Sequence, residues 1–166
     1  PLTVFLRNAV CVFGPGAKSF CEAAARSPET GGKVALFTAT AGSFGEIFSL
    51  LWEIFFKDDL GEHGAKVENL VSELPTVSRL EEIAENAGLK KIETETSSEI
   101  FEYENGEKFV NSTLVADFLL SVWLKTLNKK QKERVRAELV QLIDAEDNDL
   151  SFRFSVKATL ITGEKI

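Results

Sequence analysis

Two apolar runs open the chain, Leu2 to Leu6 and Val10 to Phe13, with Arg7 and Asn8 between them. Both are rich in β-formers. Together they predict one buried strand followed by its exit loop. Gly14-Pro15-Gly16 breaks the pattern. Ala17 to Arg26 then places Phe20, Ala23 and Ala24 at helical spacing among good helix formers, and Pro28 with Gly31-Gly32 stops that helix. Lys33 to Thr40 (KVALFTAT) is a second apolar run of strand length. Strand, helix and strand in this order predict a βαβ unit with a parallel pair.

Helical periodicity dominates the middle of the chain. From Ser43 to Phe56, apolar residues fall at Phe44, Ile47, Phe48, Leu51, Trp52 and Phe55, a stripe wide enough to bury one helix face. Lys57 to Lys66 reads as a polar break with two glycines. Val67 to Pro75 fits a short helix or a loop. Ser78 is placed to cap a helix through Ala87, with Leu80, Ile83 and Ala84 inward, Glu81 and Glu82 at the favoured dipole end, and Gly88 as C-cap. Leu89 to Tyr103 alternates loosely and carries Lys and Glu, as edge strands do. Asn105-Gly106 marks a turn. Phe109 to Leu127 reads as a helix, and Asn128 caps another that ends near Asp144. Leu150 to Thr162 alternates strictly, with Phe152, Phe154, Val156, Ala158 and Leu160 on one face. It predicts a last strand with one wetter side.

Composition narrows the function classes. Of 166 residues, 44% are hydrophobic and 27% charged, which is globular and long enough for a core without staples. Lys and Arg number 19 against 26 Asp and Glu, a net charge of −7. That balance argues against nucleic acid or an anionic membrane as partner. Cys11 and Cys21 form no metal or redox spacing and fit a reducing, cytoplasmic setting. His63 is the only histidine, which disfavours histidine-based metal sites and triads. The opening apolar run is too short for a signal peptide or a membrane span. A start at Pro1 without any methionine reads as an excised piece.

Four segments share a resemblance. Arg26-Ser27-Pro28-Glu29-Thr30-Gly31-Gly32-Lys33-Val34 is similar to the "R-V-L-K-P-G-G-x-hydrophobic" segment before the fifth strand of class I S-adenosylmethionine-dependent methyltransferases. Glu82 to Leu89 (EIAENAGL) resembles their "l-l-x-x-A-G-F" segment before the sixth strand. Leu2 to Leu6 with Arg7-Asn8 looks like the fourth strand and its "R-N" exit, and Val156 to Lys165 like the seventh strand with its closing "G-x-K". The resemblance spans the chain but covers only the C-terminal half of that fold. No G-x-G-x-G follows a first strand, and no acidic residue ends a second, so the family's holds on the cofactor's methionine portion and ribose have no counterpart.

The resemblance implies an α/β domain over 1–166. It would be a partial Rossmann-like, mixed sheet with the final strand antiparallel, helices on both faces and a helical insertion at about 105–146. The spatial order would be Leu2 to Leu6, Lys33 to Thr40, Leu150 to Thr162, Leu89 to Tyr103. It implies S-adenosylmethionine as cofactor of the complete protein, not of this chain alone. Arg7, Asn8, Ala9 and Val10 would lie beside the cofactor, since ligand crevices form at the carboxyl ends of strands. Thr38, Thr40, Ser43, Phe44 and Phe48 would meet a small-molecule methyl acceptor. No metal is implied, because positioning supplies much of the rate of such a transfer.

Other features read as structure. Gly14-Pro15-Gly16 precedes a helix yet is an ordinary turn. The aromatics Trp52, Phe55, Phe109, Phe118 and Trp123 suit a helix-to-sheet core as well as an apolar pocket. Asp58-Asp59 with Glu62 and His63 reads as a solvated loop, and Lys129 to Arg136 as a solvent face balanced by Glu133 and Glu138. Three functions compete: the substrate-side portion of a methyltransferase, a non-catalytic methyltransferase-like partner module, and an unrelated α+β domain with Phe-rich helices around an apolar ligand. Either of the first two leaves Leu2 to Leu6 as an edge to be covered by a missing N-terminal half or a second chain.

Overall fold

The computed structural model describes residues 2–6, 9–13, 31–145 and 151–165. A five-stranded sheet contains β1 (Leu2–Leu6), β2 (Ala9–Phe13), β3 (Lys33–Ala39), β4 (Leu89–Tyr103) and β5 (Phe152–Lys165), in the order β1-β2-β3-β5-β4. β2 and β3 are parallel, whereas β1 is antiparallel to β2 and β5 to β3. Cross-strand contacts Lys91–Glu164, Thr96–Thr159 and Glu102–Arg153 run in opposite senses along β4 and β5. That pair is therefore antiparallel, and β4 points the same way as β3. The sheet is mixed, and its last strand enters antiparallel between the second apolar run and the edge strand β4, as expected.

One expectation about the sheet is corrected. The strand beside β3 is Ala9–Phe13, which the pattern predicted as an exit loop, and Leu2–Leu6 lies outside it as the edge. The apolar runs are nearly continuous, with no Gly or Pro between them to signal a reversal. The helix expected over Ala17 to Arg26 lies outside the described residues.

By internal contacts the chain forms two compact units, Pro1–Ser43 with Glu73–Glu99 and Val156–Ile166, and Phe44–Ser72 with Ile100–Ser155. The sequence shows one domain because two of the passages between units occur inside β4 and β5, leaving no linker to read. The expected insertion at 105–146 falls within the second unit.

In the first unit, α3 (Val77–Asn86) lays Leu80, Ile83 and Ala84 on Val34 and Leu36 of β3 and Ile161 of β5. Its cap is Thr76, whose Oγ1 accepts from Arg79 N (3.2 Å), rather than the expected Ser78. Gly88 follows at φ +81°, a left-handed C-terminal position that favours glycine.

The second unit holds α1 (Gly45–Lys57), α2 (Gly61–Ser72), α4 (Gly106–Asn111), a π-helical turn (Leu114–Leu120) leading into α5 (Ser121–Trp123), and α6 (Lys129–Ala145). The expected polar break at Lys57 to Lys66 is therefore mostly helix. Gly64 is there for closeness, not for flexibility: a Cβ would sit 2.6 Å from the Trp52 ring of α1. Asn128 and Gln131 form a reciprocal capping box at α6, each side chain bonding the other's backbone N–H at 3.0 Å. The α6 basic run is not all solvent face. Arg134 pairs with Asp58 and Glu138, and Arg136 donates to the Val110 carbonyl (2.9 Å).

β5 also corrects the single apolar face. In the second unit Phe154 is buried. In the first unit Ala158 is buried as expected, but Thr159 and Ile161, of the opposite parity, are the fully buried residues, and Leu160 is half-exposed. β5 enters both units, and in the first of them strict alternation misses the buried Thr159 and Ile161.

Candidate functional site

In an open α/β sheet, ligands meet the carboxyl ends of the parallel strands. Here those ends are Phe13 of β2 and Ala39 of β3, followed by residues 40–43. Gly42 turns this exit at φ +93°. A chain of hydroxyls fastens it to β5. Thr40 Oγ1 donates to the Lys157 carbonyl (2.9 Å), so it accepts from Thr159 Oγ1 (3.3 Å). Thr159 in turn accepts from Thr96 Oγ1 (2.9 Å). Ser43 Oγ donates to the Thr40 carbonyl (2.7 Å) and accepts from Lys157 N–H (2.9 Å). Each hydroxyl polarises the next, and Thr40, Ser43 and Thr159 are all buried.

Of the expected substrate residues, Thr38, Thr40 and Ser43 belong to the first unit, at the end of β3, and Phe44 and Phe48 to the second. Thr38, Thr40 and Ser43 are buried, and the last two point their hydroxyls at the protein itself. Phe44 adopts φ +66°, a left-handed conformation that a bulky residue holds only when its surroundings fix it. Its N–H donates to Ser155 O (2.9 Å), and its ring meets Trp123 edge-on with centroids 5.7 Å apart. Phe48 remains half-exposed beside Trp52 (5.9 Å). Of the other aromatics, Phe55, Phe109 and Trp123 are core, while Phe118 is 66% exposed on the π-helical turn.

Of the expected cofactor residues, the described ones, Ala9 and Val10, lie elsewhere. Arg7 and Asn8 fall outside the described residues. Ala9 and Val10 pair with Lys33 and Val34 at the amino end of β3, so the register does not bring them to the strand end that carries Thr40 and Ser43. The cause is the reversal between β1 and β2, which turns the carboxyl end of Leu2–Leu6 to the opposite side of the sheet. Among the described residues, the segments at the carboxyl ends of β2 and β3 contain no carboxylate for a ribose, and the Thr40 and Ser43 hydroxyls are committed. They do not by themselves fit S-adenosylmethionine.

Sequence reading also missed a buried polar group. His63, expected in a solvated loop, is 7% exposed in the first turn of α2. Its Nδ1 shares a hydrogen bond with Thr126 Oγ1 (2.8 Å), and its ring stands edge-on to Phe55 at 4.9 Å. Nε2 is buried with no hydrogen-bond partner among the described residues. Burial pushes the His63 pKa below the ordinary histidine value. The Trp123 backbone opposes this without reaching Nε2 in ordinary hydrogen-bond geometry, and Lys66 adds to the lowering. The signal in the sequence was helical spacing from His63 to Val67, hidden by the glycines. Among the described residues no cluster of His, Cys, Asp and Glu is arranged to hold a metal ion.

The sign of the pH effect follows. The unfolded imidazole titrates near 6.5 and the folded one lower, so on acidification the unfolded state takes the proton first. His63 therefore contributes full stability above about pH 6.5, and this is lost as the pH falls through the folded value. Thermal melts between about pH 7.5 and 5 should show a falling midpoint in the wild type and a flatter profile in His63→Gln. Equal slopes would remove His63 as the cause.

No family model and no curated protein matches the chain. Solved structures do overlap it. They include a proposed methyltransferase of Bacillus halodurans (14% identity, TM-score 0.37, 90% of this chain and 62% of that one). The YcgJ protein of Bacillus subtilis also overlaps (14%, TM-score 0.40, 90% and 57%). So does phosphoethanolamine N-methyltransferase 2 of Haemonchus contortus in complex with S-adenosyl-L-methionine (15%, TM-score 0.40, 95% and 33%). The chain spans less than two thirds of each of these proteins. The strand order and directions, rather than these overlaps, define its fold class.

Proposed function

We propose that the chain is the substrate-side portion of an S-adenosylmethionine-dependent methyltransferase that acts on a small molecule in the cytoplasm. The observation that carries this reading is the antiparallel entry of β5 between β3 and β4, beside the parallel pair β2–β3. The place of β5 is what the resemblance implies, although the parallel neighbour of β3 is Ala9–Phe13 and not Leu2–Leu6. In this reading the cofactor is held mainly by chain N-terminal to Pro1, and the acceptor is met near the β3 exit. The test is the intact mass and activity of the protein purified from its source. A product longer by about a hundred residues, the length one full domain needs, that transfers labelled methyl groups from S-adenosylmethionine supports the reading. A product of 18.3 kDa without transfer overturns it.

One observation favours a second reading, a non-catalytic partner module. The hydroxyls of Thr40, Ser43 and Thr159 are all committed inside the protein. Both readings propose a covered β1, the apolar edge of the sheet. Val4→Lys should then impair assembly or solubility, and an unchanged monomer would show that the edge is free.

A further inference from the structure

Helix α2 is held to the second unit by few side chains. Of its 12 residues, His63, Gly64 and Val67 are the buried ones. Glu62, Ala65, Lys66, Glu68, Asn69 and Leu70 are exposed. Gly61 and Gly64 lower its helical propensity, and a helix this short is marginal on its own in water. α2 therefore stands on its packing against α1. There Gly64 lies against the Trp52 ring, and the His63 ring stands edge-on to Phe55 at 4.9 Å.

His63 is the one ionisable member of that contact. A proton taken from solvent makes both ring nitrogens donors. Thr126 Oγ1, 2.8 Å away, can accept from Nδ1. Nε2 then carries a buried N–H on a cation, with no acceptor in bonding geometry among the described residues. The Trp123 backbone offsets part of that cost, but burial outweighs it. A buried cation without a full set of partners is expensive, and opening the contact to water relieves it.

The surrounding charges do not rescue the imidazolium. At the end of α1, Lys57 is engaged by Glu138, and Asp58, which follows it, by Arg134. Glu62 on α2 and Lys125 beside Thr126 are exposed. Among the described residues no carboxylate acts on the ring, and Lys66 adds to the cost of the proton. Both ends of α2 suit a release. Asp58 stays tied to α6 through Arg134, and Asp59, next to it, holds a left-handed φ of +57°. At the other end the chain leaves the second unit after Ser72.

We propose that α2 is an acid-released arm: a proton on His63 detaches Gly61–Ser72 from α1 while the rest of the second unit stays folded. Release uncovers Phe55 and the Trp52 ring. The inference stands on the packing of α2 and does not depend on methyl transfer. The test is amide hydrogen exchange of the 166-residue chain, read by NMR and corrected for the intrinsic pH dependence of exchange. At about pH 7.5, amides of Val67 to Leu70 should already be about tenfold less protected than those of Val135 to Leu139 in α6. At about pH 5, α2 should lose a further factor of about ten while the chain still melts cooperatively. His63→Gln should abolish that further loss. Lys66→Glu, an exposed change outside the packing, should shrink it, which keeps the test informative if His63→Gln misfolds. Because His63 is the only histidine, its imidazole signals follow the protonation directly, and the loss should track them. Equal protection of α2 and α6 at both pH values makes the opening global and overturns the proposal. Protection of α2 that is indifferent to pH, or that falls equally in His63→Gln, overturns it as well.

Discussion

Phe154→Ala is expected to cost about 4 kcal/mol and to lower the melting midpoint by roughly 10 °C. Phe154 is fully buried in the second unit, where its ring stacks on Phe101 at 5.1 Å and on Tyr103 at 6.0 Å. It meets Phe109 edge-on at 6.1 Å and lies 6.3 Å from Phe44. Truncation removes the transfer free energy of the ring and leaves a cavity that four aromatic neighbours cannot all close. It also releases Phe44 from the packing that holds its left-handed backbone. Calorimetric or circular-dichroism melting checks the value. A loss below about 1 kcal/mol would mean that the ring sits at a surface, not in a core.

Gly106→Ala should cost about 3 kcal/mol, large for one methyl group. Gly106 begins α4 directly against α6, where a Cβ would lie 2.6 Å from Val140 Cα and 2.7 Å from its carbonyl oxygen. Backbone atoms cannot rotate away, so the two helices must part. Parting them also strains the bond from Gly106 N–H to Asp144 Oδ1 (2.7 Å). Gly61→Ala is the control. It opens α2 with nothing within 4 Å of its would-be Cβ, and its melt should stay near the wild type.

These two sites show what the sequence carried and what it did not. α1, α3, α6, β3 and β4 were legible because each has a stripe or run of the right period and a punctuating residue. Asn128, for example, caps α6 as expected. Gly106 and Gly64 misled, since glycine reads as a turn when nothing in the sequence tells close packing from flexibility. The reversal between Leu6 and Ala9 was invisible because it uses neither Gly nor Pro. That one omission moved Ala9 and Val10 from the expected ligand end of the sheet to the opposite one. Thr159 reads as a wet-face residue until its strand is known to enter both units. The seventh-strand-like position of β5 was legible from the resemblance. The committed hydroxyls of Thr40 and Ser43 were not, because hydrogen-bond partners over a hundred residues away leave no local trace.

The reading of the chain as a substrate-side portion meets its most direct test in calorimetric titration of S-adenosylmethionine into two proteins, the 166-residue chain and the longer product purified from its source. The account predicts no measurable heat of binding to the 166-residue chain. The described carboxyl ends of β2 and β3 offer neither a carboxylate nor an uncommitted hydroxyl at Thr40 or Ser43. The longer product should bind with a micromolar dissociation constant, about −8 kcal/mol. Micromolar binding to the 166-residue chain alone, or none to the longer product, would contradict it.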